Sequence, residues 1–170
     1  MIIKPFNGIS PKIDPSAFIA EGAVVIGDVE IGPGASIWYG CVLRGDVNRI
    51  RVGANTNIQD GTVVHVSRVD FPTIIAEEVT IGHGAMIHGC TIERGSLIGI
   101  GAIVLDGVVV GEESFVAAGS LVTPGTIIPP RSMMMGSPAK VKRTLGDDEV
   151  AHVQTFWQNY VTLAGEQEVS

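Results

Sequence analysis

The sequence predicts an all-β protein: a parallel β-helix followed by one C-terminal α-helix. Three observations carry that expectation. The 170 residues hold 42 Ile and Val against 6 Leu, and β-branched side chains favour strands over helices. Glycine supplies 22 residues, nearly twice the usual ~7%, so the chain reverses often at positions that tolerate positive φ. Most telling, aliphatic residues recur every six positions, which fits neither a 3.6-residue helix nor plain two-residue alternation.

The period is clearest from residue 89 onward. A phrase of Gly, a small residue, any residue, then Ile or Val returns at Gly89-Cys90-Thr91-Ile92, Gly95-Ser96-Leu97-Ile98, Gly101-Ala102-Ile103-Val104 and Gly107-Val108-Val109-Val110. It continues through Val116, Val122 and Ile128. Upstream the same spacing links Ile13, Ile19, Val25, Ile31, Ile37 and Leu43, then Val52, Ile58 and Val64, then Ile75, Ile81 and Ile87. Between these blocks the spacing breaks, so the first two junctions hold short insertions and the third a deletion. One short strand plus one turn per repeat, three repeats to a triangular coil, buries one aliphatic residue per repeat in a continuous stack. Adjacent coils then lie ~4.8 Å apart, the distance of hydrogen-bonded strands. A β-sandwich would instead place turns every ~8–12 residues.

The solenoid is expected over residues 1–130, ending at Pro129-Pro130, with a linker and a packed helix over 131–170. From Asp147 the period changes: Val150, Val153, Trp157, Tyr160, Val161 and Ala164 fall on one helical face, and Asp147 and Asp148 suit its N-terminal end. Met133-Met134-Met135 reads as adaptable packing where solenoid gives way to helix.

Composition excludes several classes. A formal net charge of -7 argues against a nucleic-acid or anionic-membrane partner. No apolar run is long enough to span a bilayer, and MIIKPFNGIS lacks the features of a secretory signal. Cys41 and Cys90 make no disulfide framework and occupy small repeat positions, so a reducing cytoplasm is the expected compartment and burial their expected role.

The chemistry gathers around histidine. His65 directly follows Val64 and His88 directly follows Ile87, so both hold one repeat position and should stack on adjacent coils. His83 lies up to ~16 Å from His88 along an extended chain, too far for one subunit to bring all three to a single ion. A threefold assembly would let His83 of one prism face the pair of its neighbour, giving three imidazoles and an open position. A row of interface histidines without metal is the alternative. Asn57 and Gln59 flank the inward Ile58 and so point outward; the Gln59 amide could orient water at a metal. Arg44 could pair with Asp60 across an interface.

Arg44-Gly45-Asp46, Asn57-Ile58-Gln59-Asp60-Gly61, His65 and the segment from Ile81 through His83 and His88 to Cys90 resemble the γ-class carbonic anhydrases, in particular their short bacterial branch. The similarity extends to Gly136-Ser137-Pro138-Ala139-Lys140 and to Asn159-Tyr160. The resemblance implies a left-handed parallel β-helix assembled as a homotrimer, with metal sites shared between subunits. It implies His65, His83 and His88 as ligands of Zn2+, with Fe2+ or Co2+ as alternative ions. It casts Gln59 and Asn57 as groups positioning water and CO2, with Tyr160 approaching from the helix. Arg44 and Asp60 become an interface ion pair and Asp46 a supporting residue. The implied reaction is zinc-dependent reversible hydration of CO2 to bicarbonate, in which the ion brings the pKa of its bound water toward ~7. Val47 stands where better-studied members carry a glutamate, and Asp70 is the sole acid in the segment 66–72. Low activity is therefore expected. Two other classes share this scaffold: an acyltransferase or thioesterase acting on a CoA ester, and a catalytically silent metal-binding trimer.

Overall fold

The computed structural model describes residues 1–167 as a parallel β-helix of twenty short strands, from Ile2–Lys4 to Ala139–Thr144, followed by helix α1 over Asp147–Gln167. Most strands are only two or three residues long because a corner follows each inward aliphatic. A 12-stranded sheet bends round one corner through the longer strands Val24–Ile31 and Val42–Val52, and an 8-stranded sheet forms the third side.

Register is parallel from coil to coil. Val42 pairs with Val63, Val63 with Met86, Met86 with Ile103 and Ile103 with Leu121. The residues that follow these, Leu43, Val64, Ile87, Val104 and Val122, all face inward and are at most 1% exposed. Ile37, Ile58, Ile81, Ile98 and Val116 form the equivalent buried column of the third side. Ile13 and Ile19, in the first coil, are only partly buried because no further coil covers them. Among the described residues no helix is long and apolar enough to cross a membrane.

Two features depart from the expectation. The ladder continues past Pro129-Pro130 into a strand at Ser132–Gly136, which pairs parallel with Phe115-Val116 and turns back as Ala139–Thr144. Met134, 2% exposed, takes the inward place; an unbranched thioether fills a site whose aliphatic signature is missing. On α1, Val150, Val153 and Ala164 are buried as expected, whereas Val161 is 37% exposed at the rim.

The third side carries an outward column of Phe18, Ser36, Asn57, Thr80, Leu97, Phe115 and Met133. Helix α1 contacts this side through the Ser36-Ile37 and Asn57-Ile58 strands. Tyr160 meets the Trp38 ring edge-on at 5.2 Å, and Gln154 Nε2 donates to the Gly95 carbonyl at 3.0 Å. At the helix start Arg143 donates to both Glu149 oxygens, at 2.6 and 2.7 Å, while the Gly146 N–H donates to the same carboxylate at 3.0 Å. The Arg143 bonds and that N–H pull the Glu149 pKa from 4.5 down to about 2.

Truncating a central rung with Ile81→Ala should cost about 3 kcal/mol, from lost burial plus the cavity left in a close-packed stack; chemical denaturation measures it. The Glu149 carboxylate has its pKa depressed on folding, so its stabilisation is present above about 4.5 and is lost as pH falls through about 2. Glu149→Gln should therefore lower Tm at pH 7, with the gap to the parent closing by pH 2. A gap that persists unchanged would assign it to something other than the charge.

Candidate metal centre

The repeat register places His88 directly opposite His65 on the neighbouring coil. Their ring centroids are 5.1 Å apart, and His65 Nδ1 lies 3.1 Å from His88 Nε2. Thr73, fully buried, ties the two turns together: its hydroxyl donates to the His65 carbonyl at 2.5 Å and accepts from the Gly89 N–H at 2.9 Å.

Each imidazole turns its other nitrogen to a carboxylate. His65 Nε2 is 3.0 Å from Asp46 Oδ1, His88 Nδ1 is 2.6 Å from Asp106 Oδ1, and His83 Nδ1 is 2.8 Å from Asp60 Oδ2. A carboxylate accepts, so His65 Nε2 and His88 Nδ1 carry the hydrogen in these two bonds, and in a neutral ring the other nitrogen keeps its lone pair. In the stacked pair His65 Nδ1 and His88 Nε2 then face each other at 3.1 Å, and with both rings neutral two lone pairs meet there. Two nitrogen ligands of a tetrahedral ion stand ~3.3 Å apart, so the pair fits a divalent cation of borderline softness.

The expected residues sort into two groups at opposite edges of one side of the prism. His65, His88, Asp46 and Arg44 lie at one edge. There Arg44 pairs with Asp46. Burial opposes the charge on Asp46, but bonds from His65 and Arg44 outweigh it and hold the carboxyl below its ordinary pKa. His83, Asp60, Asn57, Gln59 and Tyr160 lie at the other edge. Gln59, His83 and Tyr160 line a cleft of roughly 210 Å³ together with Leu97, Ile100 and Phe156. Among the described residues no three His, Cys, Asp or Glu side chains of one chain come together as a metal-binding group, so His83 does not join the pair within a protomer. Among the described residues Arg44 and Asp60 form no ion pair with each other; each has another partner, Asp46 and His83.

Asn57 and Gln59 do leave the core side of the sheet, but α1 covers them, and they are 1% and 5% exposed. The amides are fixed by their neighbours: Gln59 Nε2 donates to Asn57 Oδ1 at 3.1 Å, and Asn57 Nδ2 donates to Thr80 Oγ1 at 2.9 Å. Burial, helped by the charge of Asp60, pushes the Tyr160 phenol above its ordinary pKa. Asp106 and Thr73 were not legible as site residues. Asp106 follows His88 by 18 residues, one full coil, and that spacing is the signal by which it could have been found.

The fold defines a hexapeptide-repeat β-helix. Residues 10–45 and 89–124 match the family model for bacterial transferase hexapeptide (six repeats). The chain is 45% identical over 160 residues to the carbonic anhydrase of Geobacillus kaustophilus, covering 94% of this chain and 87% of that one. It is 52% identical over 160 residues to the mitochondrial gamma carbonic anhydrase 2 of Arabidopsis thaliana, covering 91% of this chain; it spans 58% of the length of that relative. The crystal structure of a hexapeptide transferase family protein from Anaplasma phagocytophilum superposes with a TM-score of 0.93 at 46% identity, covering 97% of both chains. The chain belongs to the γ-class carbonic anhydrase-like family of hexapeptide-repeat proteins.

Both thiols are buried, and burial pushes Cys41 up to about 11 and Cys90 to about 12. A thiol-specific chromogenic reagent at pH 8 should therefore leave both unmodified in the native protein and label two per chain after unfolding. Rapid native labelling of Cys41 would contradict its placement in the stack.

Proposed function

We propose that the protein is a metal-dependent carbonic anhydrase, a zinc lyase that interconverts CO2 and bicarbonate at sites shared between copies of the chain in a homotrimer. The observation that carries this reading is the facing pair of imidazole nitrogens 3.1 Å apart, each ring held from behind by an aspartate. His65 Nδ1 and His88 Nε2 from one copy, with His83 Nε2 from the next, would hold Zn2+, or Fe2+ or Co2+. Such an ion supplies a Lewis acid that makes water nucleophilic near neutral pH.

The shared arrangement is favoured by the side of the prism between the two groups. Its outward column runs through Ile2, Val24, Val42, Val63, Met86, Ile103 and Leu121. Ile2 is 56% exposed and Met86 50%. An apolar side with complementary edges closes a ring by head-to-tail packing. Packed so, Arg44 of one copy reaches Asp60 of the next and His83 reaches the stacked pair.

The residues around His83 have separate tasks. Leu97, Ile100 and Phe156 offer the apolar walls that a neutral, linear CO2 molecule needs. The Gln59 amide, anchored through Asn57, keeps its Oε1 available to accept from water. The Tyr160 phenol, kept protonated at neutral pH, is a hydrogen-bond donor for the product carboxylate. Few carboxylates line the route by which a proton would leave, since Val47 is apolar and Asp70 is alone in its loop. Slow turnover follows. Two free buried thiols agree with a reducing cytoplasm.

The transferase match favours a second reading, an acyltransferase or thioesterase taking a CoA ester. That match covers residues 10–45 and 89–124 and so leaves out all three histidines; it reports the rungs, not the site. A silent trimer would keep the metal without the chemistry.

Stopped-flow CO2 hydration by protein loaded with Zn2+ or Fe2+ decides the matter. The parent should exceed the uncatalysed rate, and His88→Ala should return to it; His83→Ala should do the same, with less metal retained. Equal rates in parent and His88→Ala would remove the proposal. Saturable acetyl-CoA binding by a metal-free trimer would support the second reading instead.

A further inference from the structure

We infer that Asp106 is a positioning residue that selects the ring tautomer and orientation of His88; the inference rests on the metal-centre reading only for its consequence, not for its geometry. Asp106 Oδ1 stands 2.6 Å from His88 Nδ1, the shortest contact made by any of the three paired histidine rings. The carboxylate comes from one coil further on, and the intervening turn is shaped to admit it. Gly89 adopts φ 55°, and a Cβ at this position would lie 2.2 Å from Asp106 Oδ1 and 2.9 Å from Phe71 Cβ. A side chain at 89 would crowd both the carboxylate and Phe71 and would be strained at this φ. Phe71, delivered by the loop before Thr73, lies against the stacked turns at Gly89 and Gly107. That loop thus brings both the aromatic cover and the Thr73 clamp on the histidine-bearing turn.

The contact has a definite chemical result. An acceptor on Nδ1 requires the hydrogen there, so the lone pair of neutral His88 sits on Nε2, the nitrogen that faces His65. Without that acceptor the ring is free to exchange tautomers and to turn about its Cβ–Cγ bond. The Nε2–H tautomer, which presents an N–H where a ligand is needed, then becomes populated. His65 is the mirror case: Asp46 takes Nε2 and leaves Nδ1. The pair therefore offers two different ring nitrogens, Nδ1 from one coil and Nε2 from the next, although both histidines hold one repeat position. That asymmetry belongs to the two aspartates, not to the backbone.

The test is 15N NMR of metal-free, histidine-labelled protein near pH 8.5, about two units above the ordinary imidazole pKa. In the parent, His88 should show the Nδ1–H pattern. In Asp106→Ala it should shift toward the Nε2–H pattern while His65 keeps its own. Zinc affinity, read by competition with a chromogenic chelator, should fall 10–100-fold. Asp106→Asn, nearly isosteric, should retain the fold if alanine does not, and show the same shift in weaker form. An unchanged His88 pattern in both variants overturns the inference. A shifted pattern in a parent protein that takes up no zinc supports the inference and overturns the metal reading instead.

Discussion

The hydrogen-bonded ladder between coils is the constraint on which the rest of the molecule depends. Each strand pairs with the strand one coil away, so a residue's partner is set by position in the repeat and not by proximity in sequence. Met86, Ile87 and His88 lie opposite Val63, Val64 and His65 although 23 residues separate them. A slip of one residue would turn every inward aliphatic out to solvent, and the buried column of Leu43, Val64, Ile87 and Val104 forbids it. Side chains that the core holds in register are thereby delivered to the corners in register as well, and the histidine pair is one outcome.

Electrostatics then refine what the ladder supplies. Asp46 behind His65 and Asp106 behind His88 accept from these rings and so set which nitrogens face each other, while Asp60 pairs with His83. They come from different coils and turns, so the ring orientations depend on neighbouring coils staying stacked. The amides at Asn57 and Gln59 are handled in the same manner, each locked by another polar group before any substrate arrives.

Helix α1 converts one side of the prism from surface to interior. Without it Asn57, Gln59 and Thr80 would be exposed polar residues; with it they are nearly buried, and Gln59 and Thr80 line a cleft that Tyr160 and Phe156 close over His83. The opposite apolar side, with Ile2 and Met86 half exposed, has no such cover among the described residues. One chain therefore carries the stacked histidine pair at one edge of that side and His83 with its cleft at the other.

The period-six aliphatics, the small residues at the corners and the shared repeat position of His65 and His88 were all legible, because each is a regular consequence of one strand and one turn per repeat. The 3.6-residue pattern after Asp147 marked the helix for the same reason. Other features required the folded chain. Met134 extends the rungs unannounced, since methionine fills a volume without the repeat's signature. Asp106 and Thr73 join the site through contacts between coils, and Arg44 bonds Asp46 within its own chain. The burial of Asn57 and Gln59 depends on where α1 docks. Local periodicity is written in the order of residues; which carboxylate meets which imidazole depends on corner geometry and side-chain packing across coils, and only the tertiary structure decides that.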